Sequence, residues 1–393
     1  MASASTPLLP TDGGRGSHKA QGFTLPPLPP AHRLSVDWTG TPLSAGTPLP
    51  HATIPASVLN LSACAFGASI LSIPHAFAAA GGPAAGIATL VAVAAASAWS
   101  AGVMADAGRA TGAPALRSII GATFGLLAGA ATDMAVCGAL AVAAVSYVCG
   151  VVELVPLLLP SLFGWMPRLG LVVGTVVALA GPCLVGDLAA FGPTSAIALA
   201  SPTRQRLHAV VRWSVVTLTS CYVPFGLAGL LLYATPGPEG ALTAHGTGVP
   251  LNVLAGVGDG SPVVTVARVA IAALLVLTYP LLVIPLRRRV EAGVWGAVQP
   301  AGGRRVAVVA ALSVGVGAVS GGLRDLGAAN DVAGGAIAVI MFVVPGGLSA
   351  MRGWSELREG EGKTAAWTRM AVGGGAILLG LVTAAVGLGG LFF

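Results

Sequence analysis

The chain has 393 residues, of which 55% are hydrophobic and only 9% are charged. Because a soluble domain carries about 25% charged residues, this composition excludes an ordinary soluble protein and indicates segments that lie in a lipid bilayer. The formal net charge of +6 does not indicate nucleic-acid binding, since the basic residues form short clusters between apolar segments, as in cytosolic membrane anchors.

Residues 1–50 are rich in Pro, Ser, Gly and Thr and contain no continuous apolar core. This composition predicts a disordered N-terminal tail, to which Arg15, Lys19 and Arg33 give a mild basic bias. We expect the remaining residues, 51–393, to form one transmembrane domain.

Nine apolar segments follow, each about as long as a membrane span. A helix rises about 1.5 Å per residue, so about 20 residues cross a hydrocarbon core of about 30 Å. The segments are about 56–80, 83–105, 133–158, 168–186, 210–233, 263–286, 304–322, 332–351 and 368–392. They predict an all-α, polytopic membrane protein with about nine transmembrane helices.

Charges between the segments predict their orientation. Basic residues cluster in the loops 204–212, 287–305 and 352–363, whereas the loop 233–262 contains no Lys or Arg. The positive-inside rule therefore puts the three basic loops in the cytosol and the loop 233–262 outside. Within the third segment, Asp133 and Glu153 are spaced so that one carboxylate lies near each membrane face.

The same rule constrains the middle of the chain. Asp187 and Arg204 should both be cytosolic, so an even number of crossings must lie between them. The one apolar stretch there, Leu188–Ala200, is too short to span the membrane, and we expect that it does not cross. It could lie in the interface, re-enter the membrane or be buried among other helices. The N-terminus would then be cytosolic and the C-terminus outside.

Five sequence motifs resemble, in the same order, those of one family of membrane transporters. They are SVLNLSACAFGASILSIPHAFAAAGG (57–82), GALAVAAVSYVCGVVELVPLLLP (138–160), GDLAAFGPTSAIAL (186–199), LTYPLLVIPLRRRV (277–290) and GLRDLGAANDVAGGAIAVIMFVVPGGL (322–348). This is the amino acid/auxin permease family, which includes neutral amino-acid transporters of animals and vacuolar ones of plants and fungi. The resemblance covers about 55–390. It implies an inverted-repeat amino-acid transporter fold of five helices, five more of opposite topology and an eleventh.

In such a fold the substrate binds at mid-membrane, beside two interrupted helices, the first and the sixth. The resemblance implies that Gly67, Ala68, Ser69 and Ile70 bind the substrate. A physical argument supports this region, because glycine lowers the cost of leaving helical geometry and Pro74 downstream lacks an N–H group. A break there frees backbone N–H groups for a substrate carboxylate. Alternatively, the small residues let another helix pack closely.

Ion coupling is the second property that the resemblance implies. Phe66 and Gly67 would line a sodium site with Thr278 of the eighth helix. The family's asparagine four residues before this glycine is Ala63 here, and an alanine side chain cannot coordinate a hard cation. The hydroxyl of Thr278 could instead bond to a carbonyl of its own helix. His75 could serve proton coupling, so Na⁺ and H⁺ both stay open.

The sequence departs from the family near 200–204. Here Ala200 leads directly to SPTRQRLHAVVRW, which resembles the loop before the family's seventh helix. The family's sixth helix is therefore missing, and two missing crossings leave the later inside/outside pattern intact. This agrees with the charge-based expectation that Leu188–Ala200 does not cross.

These features predict a secondary active amino-acid transporter, coupled to Na⁺ or H⁺, in a vacuolar, lysosomal or plasma membrane. The alternative is a transporter-like membrane protein that does not transport, such as a regulatory paralogue, a splice form or a truncated gene model. We expect no enzymatic activity, metal site or cofactor, because the sequence has no HExxH, paired Asp or clustered His motif and no metal-ligand spacing among its five cysteines. The cysteines are expected to be small buried apolar side chains. The partners would be an amino acid and the lipid bilayer, and the oligomeric state is open.

Overall fold

The computed structural model describes residues 54–111, 113, 115–184, 204–233, 249–250, 252–254, 262–295, 302–323, 326–360 and 362–389. All of them belong to one compact unit that begins at Pro48. The predictions for the tail 1–50 and for Leu188–Ala200 fall on residues outside this description.

The described elements are all helical, and the described residues contain no strand. The helices are α1 (Ile54–Ala65), α2 (Ile73–Ala79), α3 (Pro83–Thr111), α4 (Leu116–Phe124), α5 (Leu126–Leu158), α6 (Pro160–Phe163), α7 (Arg168–Cys183), α8 (Arg204–Tyr233), α9 (Pro262–Trp295), α10 (Gly302–Gly322), α11 (Leu326–Ala338), α12 (Val344–Glu359) and α13 (Lys363–Gly389). A 3₁₀ turn, Ala68–Ser72, links α1 to α2, and a π-helical segment, Val339–Val343, links α11 to α12. The predicted all-α class is confirmed.

Within the described part of the chain, seven helices are long and apolar enough to cross a membrane. They are Pro83–Thr111, Leu126–Leu158, His208–Tyr233, Pro262–Trp295, Gly302–Gly322, Leu326–Glu359 and Lys363–Gly389. Two of the nine predicted segments are not among these seven helices. The segment 56–80 is interrupted, and the helical part of 168–186 has only 16 residues. Helices of the length and composition of these seven are typical of an integral membrane protein.

α5 lies at the centre of the bundle and packs against α9 and α11. Its residues Val148, Cys149 and Leu154 are fully buried. Gly150 lets α9 approach closely, because a Cβ there would lie 2.9 Å from Leu275 Cδ1. Large apolar side chains on the outside of the bundle, such as Leu277, are exposed, as expected for a surface that faces lipid.

The cysteines follow this division between core and lipid surface. Cys149 and Cys183 are buried and Cys137 is half-buried, but Cys221 on α8 is exposed. The expectation of burial is therefore wrong at Cys221. An apolar thiol is stable on this surface because the neighbouring phase is lipid rather than water.

Arg117, Arg287 and Arg289 gather at one end of the bundle, which we call the arginine end. Asp133 of α5 binds Arg289 of α9 and lies 3.7 Å from Arg117 of α4. Arg287, which is only 1% exposed, donates to the carbonyl of Cys183 in the last turn of α7 at 2.6 Å. A cation at a helix C-terminus is electrostatically favourable.

Glu153 lies within the last two turns of α5, at the opposite end of the bundle, which we call the Glu153 end. Glu153 Oε2 accepts from the side-chain amide of Asn252 at 2.9 Å, and Oε1 accepts from the backbone N–H of Leu326 at 2.8 Å. Asp133 and Glu153 thus lie towards opposite ends of the bundle, as their spacing predicts. Leu326 is the first residue of α11, so the carboxylate lies at a helix N-terminus, where negative charge is stabilised.

Contacts with distant residues show at which end of the bundle α7 ends and α8 begins. Cys183 lies at the arginine end through Arg287, and His208 lies there through Asp106, with 3.9 Å between His208 Nε2 and Asp106 Oδ1. The chain therefore leaves α7 and enters α8 at the same end. This is the arrangement that an even number of crossings requires.

Candidate functional site

The first apolar segment is interrupted in its middle, at Phe66 and Gly67. The backbone N–H of Phe66 donates to Ser62 at 2.8 Å, and Gly67 then adopts an extended conformation with φ −102° and ψ −170°. Ile70 N–H bonds to Gly67 at 3.2 Å and begins the 3₁₀ turn. The interruption that the small residues predict is present, and a helix start of this kind presents N–H groups that lack partners within the helix.

The position of Tyr147 explains why residue 67 is a glycine. A Cβ on Gly67 would lie 3.1 Å from Tyr147 Oη and 3.2 Å from Tyr147 Cε2. The φ of Gly67 is open to any L-residue, so the backbone alone does not require glycine here. Close approach of α5 favours it, because the Tyr147 ring would have to shift by a few tenths of an ångström to admit a Cβ. The sequence argument from conformational freedom therefore found the right residue for a different reason.

A second tyrosine, Tyr222 of α8, lies on the interruption. Its ring meets that of Phe66 edge-on, with 5.5 Å between centroids and an interplanar angle of 83°. The hydroxyl of Tyr222 lies close enough to Ser69 for the two side chains to interact. The interruption is thus lined by two aromatic hydroxyls from two other helices.

α11 holds the far end of the 3₁₀ turn. The side-chain amide of Asn330 donates to Ser72 Oγ at 2.9 Å. Three helices thus hold the interruption through polar side chains: α5 through Tyr147, α8 through Tyr222 and α11 through Asn330. Such contacts preorganise a site, because the backbone there is not free to return to a regular helix.

The remaining predicted substrate residues lie on two sides of the turn. Ala68 is buried against α5, since a Cβ on Gly150 would lie 3.5 Å from Ala68 Cβ. Ile70 is half-buried and Ser69 is exposed. Gly67 and Ser69 therefore lie together at the tyrosines, whereas Ala68 faces the core.

The predicted ion ligands are less closely grouped. Thr278 is buried, and its hydroxyl donates to the carbonyl of Leu274 on its own helix at 2.6 Å. This is the alternative that the sequence left open for Thr278. The helix containing Thr278 approaches the 3₁₀ turn through Leu275, and Phe66 points to Tyr222. The side chain of Ala63 lies outside the described part of the structure, and the ion site stays a prediction.

Residues 249–250 and 252–254 cover the Glu153 end of the 3₁₀ turn. Val253 N–H donates to the carbonyl of Leu71 at 3.2 Å, and Tyr233 donates to the carbonyl of Val253 at 2.9 Å. Arg268, which is 2% exposed, donates from Nε and Nη2 to the carbonyl of Leu254 at 3.1 and 2.9 Å. We call residues 249–250 and 252–254 the covering segment.

His75 binds the same covering segment. Its Nδ1 lies 2.7 Å from the carbonyl oxygen of Val249. A carbonyl oxygen can only accept, so Nδ1 carries the proton in this contact. His75 therefore joins α2 to the covering segment, in addition to any role in proton coupling.

The sequence reasoning missed Tyr222, Asn330 and the covering segment. One signal could have found the tyrosines: the whole chain has only four, and they lie in or at the end of apolar helices. A tyrosine in an apolar environment needs a partner for its hydroxyl, and so marks an internal polar contact.

In comparisons with known proteins, no protein-family model matches the chain and no curated protein matches it significantly.

Proposed function

We propose that this chain is a secondary active amino-acid transporter of the amino acid/auxin permease type. The observation that carries the proposal is the interruption at Phe66 and Gly67, held by α5, α8 and α11 inside an apolar bundle. Interrupted helices at membrane depth are tolerated where they are buried in protein or line a cavity, and in transporters they bind the substrate. The sequence motifs that resemble the family include this interruption.

The amino-acid carboxylate would bind the N–H groups at the start of the 3₁₀ turn, near Ala68 and Ser69. The substrate ammonium group would lie by the carbonyl groups that end α1, where the helix dipole is negative. The hydroxyls of Tyr147, Tyr222 and Ser69 would orient the substrate. The covering segment would close the site from the Glu153 end, because it already bonds to Leu71 of the same turn.

The proposed topology has nine crossings, with the arginine end in the cytosol. It adds the interrupted α1–α2 and the short α7 to the seven long apolar helices. The alternating directions of the helices and the clustered arginines support it. In this proposal the fold is an inverted-repeat transporter in which the family's sixth helix is missing. A glycosylation tag at 237–248 should be modified, whereas a tag beside Arg204 should not.

A second candidate is a transporter-like protein that does not transport. The exposure of Ser69 favours it, because a complete site would be expected to cover this side chain. Leu59 and Leu61 on α1 are also exposed, at 66% and 45%.

Uptake into proteoliposomes distinguishes the two candidates. The purified chain is reconstituted, and labelled amino acids are offered under an inward sodium gradient and, separately, an inward proton gradient. Accumulation that collapses with one gradient supports transport and names the coupling ion. Failure to accumulate any amino acid under both gradients, with a correctly folded protein, would overturn the transport proposal and favour the second candidate.

A further inference from the structure

α4 and the start of α5 form a helical hairpin at the arginine end. Gly125 makes the turn between them with a φ of 95°, a left-handed conformation that favours glycine. The helices touch at Gly129, where a Cβ would lie 2.7 Å from Arg117 O and 3.1 Å from Gly121 Cα. This close contact places the first turns of α4 directly against α5.

A shallow, open cleft of about 270 Å³ lies on the surface of this hairpin. Its lining residues come from both helices and are Arg117, Ser118, Gly121, Leu126 and Gly129. Arg117 is 53% exposed in its side chain and Leu126 is 76% exposed. A cation, a hydroxyl and an apolar side chain therefore line one small cleft on the surface.

Among the residues that the structure describes, the charge around this cleft is not balanced. Asp133 binds Arg289 through Oδ1 and lies 3.7 Å from Arg117 through Oδ2. One carboxylate therefore interacts with two guanidinium groups, and the side chains of Asp133, Arg289 and Arg117 together carry a net charge of +1. Asp133 cannot neutralise both arginines, so the cleft favours an anion.

An apolar stripe on α5 continues from the cleft. Leu127, Ala131, Met134 and Gly138 are all exposed, and their spacing of four, three and four residues puts them on one face of the helix. Leu127 is 87% exposed and Met134 is 72% exposed. A free phosphate ion would make no apolar contact with this stripe, whereas a lipid acyl chain would lie along it.

We propose that the cleft between α4 and α5 binds the headgroup phosphate of an anionic phospholipid, with one acyl chain along the stripe. Arg117 and Ser118 contact the phosphate, and Asp133 sets the affinity by competing for Arg117. The bound lipid fixes the hairpin against the membrane surface. This inference is independent of transport, since it concerns a different part of the bundle.

The test measures lipid-dependent thermal stability of the full chain in detergent, with dioleoyl phosphatidylglycerol or dioleoyl phosphatidylcholine added. The wild-type protein should be stabilised by the phosphatidylglycerol more than by the phosphatidylcholine. Arg117→Gln should weaken apparent phosphatidylglycerol binding by about fivefold. Arg212→Gln is the matched control, because Arg212 is an exposed arginine of α8 towards the arginine end but outside the cleft. Glycerol phosphate, which lacks acyl chains, should not stabilise the protein.

Two further variants separate a lipid site from a merely structural ion pair. Asp133→Asn frees Arg117 and should increase the preference for phosphatidylglycerol, even if it lowers stability in phosphatidylcholine. Gly121→Leu should fill the cleft and abolish the preference without touching a charge, since nothing lies within 4 Å of its added Cβ. A wild-type protein without lipid preference, equal losses in R117Q and R212Q, or a full preference in G121L would each overturn the proposal.

Discussion

Tyr147 Oη lies against Gly67, so that a Cβ added to Gly67 would be 3.1 Å away from it. Since the backbone of Gly67 is compatible with any L-residue, its glycine is favoured by the tyrosine of α5 rather than by the turn itself. The interruption of the first helix and the packing of α5 are therefore one structural feature. A change at either residue should alter both.

Gly67→Ala should lower amino-acid uptake and reduce stability by about 1–3 kcal/mol, because Tyr147 must move to admit the methyl group. Unfolding temperature and uptake are measured on the same preparation. Gly174→Ala on α7 is the control, since nothing lies within 4 Å of a Cβ at that position. It should be neutral or slightly stabilising, as alanine is the better helix former. Equal effects of the two substitutions would contradict the role of Tyr147.

The proximity of the Tyr222 and Ser69 side chains predicts a coupled pair. Tyr222→Phe keeps the edge contact with Phe66 but removes the hydroxyl, and Ser69→Ala removes the other partner. Each single variant should raise the KM for uptake by about fivefold, which corresponds to one hydrogen bond. The double variant should be no worse than the poorer single variant. Strictly additive effects would mean that the two hydroxyls act separately.

Replacing Glu153 with glutamine should destabilise the protein. Both of its carboxylate oxygens accept hydrogen bonds, from Asn252 and from Leu326, and glutamine would turn an N–H group towards one of these donors. Rotation of the Asn252 amide cannot repair this, because its oxygen already accepts from Leu254 N–H at 3.2 Å. We expect Glu153→Gln to cost about 1–3 kcal/mol.

Hydrogen exchange checks where the effect of Glu153→Gln occurs. Exchange should increase in the covering segment, because Asn252 loses its anchor on α5. Glu359→Gln is the control, since Glu359 is exposed at the end of α12 and its replacement should leave both stability and exchange unchanged. A local role for Glu153 would be contradicted by unchanged exchange at 252–254.

The sequence predicted the features that depend on composition and on charge order. The contact of Arg289 with Asp133 joins a basic cluster to the carboxylate that was expected at the same membrane face. Helix bounds were less accurate. The helix predicted to end near residue 105 continues to Thr111, because helical hydrogen bonding does not stop where the apolar residues stop.

Contacts between distant helices could not be predicted from the sequence. Ser72 and Asn330 are 258 positions apart, and the pattern of one helix does not tell which partner will cover it. An apolar stripe predicts a buried or lipid-facing surface, but it does not identify the neighbour. Tyr222 and the covering segment were missed for the same reason, since each acts on the interruption from another part of the chain.

The packing of α13 against α11 and α12 predicts a sharp difference between two adjacent glycines. A Cβ on Gly373 would lie 2.5 Å from the carbonyl oxygen of Gly346 and 2.8 Å from Ala350 N, whereas nothing lies within 4 Å of a Cβ on Gly374. Backbone atoms cannot move aside as a side-chain end can, so Gly373→Ala should force the helices apart and cost about 3 kcal/mol. Gly374→Ala should be neutral or stabilising by up to about 1 kcal/mol, because it only improves helix propensity. Thermal unfolding in detergent compares them, and equal unfolding temperatures would show that α13 does not pack on α12 through Gly373.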